Sequence, residues 1–118
     1  MKTKSALAAL SALAHEHRLG IYRLLVEHGP EGLTPGTMSE RLKLPAPTLS
    51  FHLKELSAAG LVLSRQEGRY IWYRADFDAM TQLIGYMTEN CCRSSAACDA
   101  GCAPAVTSTP TVRKRSPT

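Results

Sequence analysis

The sequence predicts a mainly α-helical domain carrying one small β-hairpin. Apolar residues recur at helical spacing in several stretches, and two short runs of β-branched and aromatic residues flank a glycine-bearing turn. Gly29-Pro30, Pro45-Ala46-Pro47 and Gly60 punctuate the chain between these elements. At 118 residues the chain is one domain, large enough for a single core. Aromatic residues make up 6% of it, so that core must be mostly Leu, Ile, Val and Ala.

The elements follow in order. An Ala-rich helix runs from Thr3 to about His15, with Leu7, Leu10 and Leu13 on one stripe. A second helix runs from about His17 to His28, its apolar positions Leu19, Tyr22, Leu25 and Val26, and Gly29-Pro30 ends it. After a loop, a short helix opens at Gly36 or Thr37 and closes near Lys43. Leu44-Pro45-Ala46-Pro47 reads as a tight connection that no helix crosses unbroken. Thr48 to Ala59 is a helix with Leu49, Leu53 and Leu56 facing inward and Gly60 placed as its C-terminal cap. The strands LVLSRQ and YIWYRA flank the turn Glu67-Gly68-Arg69. A last helix spans Phe77 to about Asn90, with Phe77, Met80, Leu83, Ile84 and Met87 on one side. Beyond Cys102 the chain turns to Ala, Pro, Thr and Ser and then Arg113-Lys114-Arg115, a composition that favours a disordered basic tail.

The first residues, MKTKSALAALSALA, imitate a secretory leader. Removal there would leave four cysteines in an oxidising compartment as a disulfide framework. The run is weakly hydrophobic, and its leucine stripe continues past the supposed cut through Leu19 and Tyr22, which favours a cytoplasmic protein. No other apolar run approaches membrane-spanning length.

A short helix, a tight turn, a second helix and a hairpin make a winged helix-turn-helix, an arrangement that sets one helix into the major groove of DNA. With three leucines of the second helix facing the core, Thr48, Ser50, Phe51, Lys54 and Glu55 point away. Thr48 and Ser50 offer short hydroxyls to phosphates or base edges, and Phe51 offers a ring to a thymine methyl group. His52 sits at the border of the buried stripe, either a DNA contact or a packed histidine. Arg65, Arg69 and Arg74 would carry the wing to the backbone or minor groove. The window from Glu40 to Arg74 adds a local excess of basic residues, as a phosphate-facing side requires. There is no catalytic triad, phosphate loop or carboxylate pair, so no enzyme is expected.

The strings LSALAHEHRLGIYRLL, LPAPTLSFHLKELSAAGLV and RQEGRYIWYRA resemble the ArsR/SmtB family of bacterial metalloregulators. The likeness covers roughly residues 5–92. In that family a helix patterned SxHLxxLxxAGLV reads DNA, and Ser50, His52, Leu53, Leu56, Ala59, Gly60, Leu61 and Val62 fit it. The resemblance implies a homodimer built on the first and last helices, here carrying Leu7, Leu10, Leu83 and Ile84. Such a dimer would read an inverted repeat in double-stranded operator DNA. Residues 1–92 would then be the DNA-binding and dimerisation domain, and 93–118 a cysteine-containing extension.

Family members place their ligands differently. A cysteine pair in the helix before the recognition helix is absent here, where the chain reads Thr37-Met38-Ser39-Glu40-Arg41-Leu42. Asp/His sites on the last helix would have Asp76, Asp78 and Glu89 but no histidine. There remain Cys91, Cys92 and Cys98, similar to the arsenical-responsive branch with a vicinal pair at the end of the last helix. Adjacent Cα atoms lie ~3.8 Å apart, whereas a relaxed disulfide wants ~4.4–6.8 Å. Cys91 and Cys92 are therefore poor partners for each other and better suited to gripping one soft atom. Trivalent arsenic exchanges hydroxyls for thiols and favours three sulfurs, thiolate is the binding form, and antimony should behave alike. Arg93 stands beside the pair as a charge able to favour thiolate. DNA binding itself needs no cofactor; As(III) would be the inducer. Cys102 would add a fourth sulfur, which suits zinc or cadmium, but the paired C-x-x-C spacing of structural zinc sites is missing. A redox switch among these thiols stays open, as does a thiol protein that handles metalloids without binding DNA. His15, His17 and His28 lie near helix ends and are expected to be ordinary; His28 at a helix C-terminus needs no ligand role.

Overall fold

The computed structural model describes residues 1–93. Cys98, Cys102 and the basic tail lie outside them. Five helices and one antiparallel hairpin follow in the order α1 (Thr3–Leu13), α2 (Glu16–His28), α3 (Pro35–Leu42), α4 (Ala46–Ala58), β1 (Val62–Glu67), β2 (Tyr70–Ala75) and α5 (Phe77–Thr88). The mainly α fold with a small hairpin is as expected, and several boundaries move for stated reasons.

Helix α1 faces the core with Ala6, Ala9 and Ala12. Leu7 and Leu10 turn the other way, Leu7 61% exposed, while Leu13 is half-buried against the core. Small residues let α1 lie close to its neighbours. The first helix stops short of His15 because that residue is extended (φ −153°, ψ 129°) and caps α2, its imidazole accepting from the His17 N–H. Ile21, Tyr22 and Leu25 carry α2 into the core, while Leu19 and Val26 stay exposed.

Between α2 and α3 the chain touches the wing. Leu33 and Tyr73 exchange backbone hydrogen bonds at 2.8 and 2.9 Å. The close approach demands Gly32: at φ +86° a Cβ there would lie 2.6 Å from the Tyr73 carbonyl oxygen.

Helix α3 begins at Pro35, in the first turn, where the missing N–H leaves nothing unpaired. It ends on Lys43 in the left-handed region (φ 56°, ψ 42°). There the Leu44 N–H donates to the Ser39 carbonyl at 3.2 Å and the Ser39 hydroxyl donates to the Leu44 carbonyl. The connection to α4 is shorter than the two prolines suggested. Pro45 is the N-cap of α4 and Pro47 falls in its first turn, both positions that tolerate a missing donor. Gly60, at φ +79°, closes α4 as expected, with Gly60 N–H on the Ser57 carbonyl and Leu61 N–H on the Leu56 carbonyl.

The strands pair antiparallel from Val62 opposite Ala75 to Glu67 opposite Tyr70. The turn is two residues, Gly68-Arg69, with positive φ at Gly68. Asp76 then starts α5, its carboxylate accepting from the Ala79 N–H at 3.1 Å.

Ile21, Leu25, Met38, Leu49, Leu53, Leu56 and Leu61 are the largest fully buried side chains. Burial of each contributes on the order of 1.5–3 kcal/mol. They come from α2, α3, α4 and the start of the wing, so the core lies directly behind α4. Leu83, expected at a subunit interface, is 4% exposed and belongs to this core. Ile84 and Met87 of α5, like Leu7 and Leu10 of α1, are exposed.

Candidate nucleic-acid interface and cysteine pair

The three leucines that anchor α4 fix which residues it shows. Ser50, Phe51 and Lys54 are exposed and Thr48 is half-buried, as the spacing predicted. Phe51 is 55% exposed, and the Arg18 guanidinium lies over its ring, 5.7 Å from the centroid. No side chain caps the first turn of α4. Its leading N–H groups are thus left to an outside acceptor, as at helix ends that meet phosphate.

His52, read as either a DNA contact or a packed histidine, is packed. It is 6% exposed, and its Nδ1 accepts from the Nε–H of Arg18 at 3.2 Å. Sitting next to Leu53 in a helix whose leucines fill the core, it braces α4 from behind. Burial, and then the neighbours His15, Arg18 and His17, hold its pKa below the ordinary imidazole value.

On the wing, Arg65 and Arg69 are exposed. Arg65 stacks over Trp72, directly across the ladder, at 5.5 Å and meets Glu67 Oε2 at 3.3 Å. Both contacts are solvent-facing and worth little energy, but they extend the arginine along the wing. Arg74, opposite Leu63, is half-buried.

The cysteine pair lies where α5 has ended. The Cys91 N–H donates to the Thr88 carbonyl at 3.0 Å. Asn90 and Cys92 both adopt left-handed backbone, φ 61° and 58°. Cys91 is exposed and Cys92 half-buried, with their sulfurs 3.6 Å apart. A disulfide is ~2.05 Å, whereas two thiolates on one tetrahedral ion at ~2.3 Å lie ~3.8 Å apart. At this spacing the two sulfurs are not bonded to each other and stand within S–H···S distance, near enough for one atom to reach both. Cys98, the expected third donor, lies outside the described residues. Arg93 is beside the pair, its guanidinium donating to Asn90 Oδ1 at 3.3 Å.

Sequence reasoning missed Arg18, His15 and His17 as companions of α4. The ring centroid of His52 is 4.7 Å from that of His15 and 5.9 Å from that of His17. Arg18 and His52 are 34 positions apart, and no local pattern announces that contact.

Residues 13–65 match the helix-turn-helix domain family. The chain is 33% identical over 88 residues to an uncharacterized helix-turn-helix-type transcriptional regulator of Methanocaldococcus jannaschii, covering 75% of this chain and 97% of that one. It is 35% identical over 82 residues to the transcriptional activator HlyU of Vibrio cholerae, covering 67% of this chain and 73% of HlyU. An ArsR-like transcriptional regulator from Rhodococcus sp. RHA1 has a similar structure, with a TM-score of 0.63 at 28% identity over 71% of this chain and 76% of that one. A possible transcriptional regulator for arsenical resistance has a TM-score of 0.59 at 29% identity, over 67% of this chain and 79% of that one. These relatives are regulators of transcription, not enzymes. No helix among the described residues is long and apolar enough to cross a membrane.

Proposed function

Because the chain belongs to the ArsR/SmtB family of winged helix-turn-helix transcriptional regulators, we propose that it is an arsenic(III)-responsive repressor. It binds an inverted-repeat operator as a homodimer in the cytoplasm and lets go when arsenite, antimonite or an organoarsenical binds its cysteines. The observation that carries this reading is the 3.6 Å sulfur spacing of Cys91 and Cys92 just past the end of α5. The likeness to a possible regulator for arsenical resistance supports it. The likeness to an activator, HlyU, means that the choice of inducer rests on the cysteines and not on the family.

Arsenous acid would exchange its three hydroxyls for the sulfurs of Cys91, Cys92 and Cys98, and three waters would leave. The exposed apolar residues of α1 and α5 (Leu7, Leu10, Ile84 and Met87) supply the surface for the second subunit. The two helices already touch, Thr3 Oγ1 meeting the Tyr86 hydroxyl. Drawing the residues beyond α5 toward one atom would strain that helix and turn the two reading heads out of operator register. A coupling of ~1–3 kcal/mol weakens DNA binding ~5–150-fold. On the DNA side, Thr48, Ser50, Phe51 and Lys54 meet the major groove, Arg65 and Arg69 meet the backbone or minor groove, and His52 holds the helix from behind.

Operator-bound protein titrated in parallel with arsenite, phenylarsine oxide, zinc and cadmium, followed by fluorescence anisotropy, tests the reading. Arsenite should dissociate the wild-type complex, and the Cys92→Ser complex should persist at the same concentration. Release of the variant at unchanged arsenite would remove the cysteines from the ligand set. Release by zinc or cadmium alone would replace the inducer class.

A further inference from the structure

We propose that the Arg18–His52 contact, ringed by His15 and His17, is a proton-operated latch that positions α4 while the His52 imidazole is neutral and releases it when that ring takes up a proton. The proposal rests on the reading of α4 as the DNA-reading helix. It adds Arg18, His15 and His17 as positioning residues and a proton as a second signal.

The argument starts from lone pairs. A neutral imidazole has one ring nitrogen that accepts and one that donates. Arg18 Nε–H can only donate, so His52 Nδ1 must be the acceptor and its Nε2 carries the hydrogen. The His17 backbone N–H can only donate too, which fixes His15 in the same tautomer. Protonating His52 at Nδ1 removes the acceptor, ends the contact with Arg18 and sets two cations face to face.

The groups whose charge reaches His52 are His15, Arg18 and His17, all cationic or able to become so. The carboxylates on the neighbouring turns, exposed Glu16 of α2 and half-buried Glu55 of α4, are not among them. The charges that do reach the ring disfavour the imidazolium. A metal is a poorer reading of the same rings, since the accepting nitrogens of His15 and His52 are already engaged. Among the described residues no group of three His, Cys, Asp or Glu is arranged to hold a metal ion.

The direction of the effect follows. A folded-state pKa below the ordinary 6.5 makes the latch's stabilisation complete above about that pH and progressively lost as pH falls through the lower folded-state value. Arg18 also stacks on the exposed Phe51, so losing the latch disturbs a residue on the reading face as well as the brace behind it.

The test uses the full chain without arsenic. A duplex enriched from a random ~30-base-pair library at about pH 8 serves as probe, and its affinity is measured at constant ionic strength between about pH 7.5 and pH 5.5. Wild type should lose roughly tenfold or more in affinity as pH falls, and His52→Asn, whose Oδ1 stands where Nδ1 accepts from Arg18 but does not titrate, should lose most of that slope. An equal slope in His52→Asn, or a flat wild-type profile, overturns the latch. NMR titration of the His52 ring in DNA-free wild type decides the matter if the variant fails to fold: titration at or above about 6.5 overturns the proposal, and titration below it with a concerted shift of the Arg18 Nε–H resonance upholds it. Failure to enrich any duplex would count against the DNA-reading assignment of α4, while the NMR titration would still judge the latch.

Discussion

The reading head and the cysteine end of this chain are built by opposite rules. Around α4, every orienting residue is held from at least one other element: Leu49, Leu53 and Leu56 in the core, His52 by Arg18, and the turn before it by Ser39 and Leu44. At the end of α5 the chain has left the core, Cys91 is exposed, and two non-glycine residues, Asn90 and Cys92, sit in left-handed backbone. A groove-reading helix must keep its angle, and buried contacts supply that. A thiol site must be reached by solvent and be free to rearrange, so it belongs at the low-stability edge of the fold. The difference teaches where a signal can enter without unfolding the head.

Substitutions can break or sharpen that contrast. The largest effect should come from Leu56→Ala, which empties a fully buried position behind α4 and should cost ~2–5 kcal/mol in urea unfolding. Gly32→Ala comes next. It forces a Cβ against the Tyr73 carbonyl at a positive φ, and a loss of ~1–3 kcal/mol should appear as a lowered melting temperature by calorimetry. Asp76→Ala removes the cap of α5 and should cost ~1 kcal/mol, with amide exchange at Ala79 rising first. Lys43→Gly should go the other way, stabilising by ~0.4–1 kcal/mol in chemical denaturation, because glycine adopts the left-handed conformation more readily. Smallest of all, Cys91→Ser should move stability by no more than ~0.5 kcal/mol, since the side chain is exposed past the last helix. Were Cys91→Ser to cost as much as Leu56→Ala, the cysteine end would be part of the core and the contrast would fail.

Much of the fold was legible because its signals are local. The 3.6-residue spacing of Leu49, Leu53 and Leu56 oriented α4, and Gly60 marked its end. Gly68 marked the hairpin turn. Errors arose where a local pattern had two readings. Pro45 and Pro47 stop a helix from its interior but also begin one, and only the chain direction at Lys43 decided which. The leucine stripe of α1 showed a helix but not which face is buried, and the alanines beside it face inward because α1 must lie close to its neighbours. Ser50, Phe51 and Lys54, set outward by periodicity, are exposed as it implied, and so are Arg65 and Arg69, placed on the wing by the hairpin pattern.

The sequence alone determined the order of elements, the exposed face of α4 and the adjacency of two sulfurs, because each depends on residues within a turn or two of one another. Only the tertiary structure decided that His52 faces inward, that Arg18 holds it and that His15 and His17 complete the cluster. Those contacts join α4 to the corner between α1 and α2, and their geometry exists only once the leucines between them are buried.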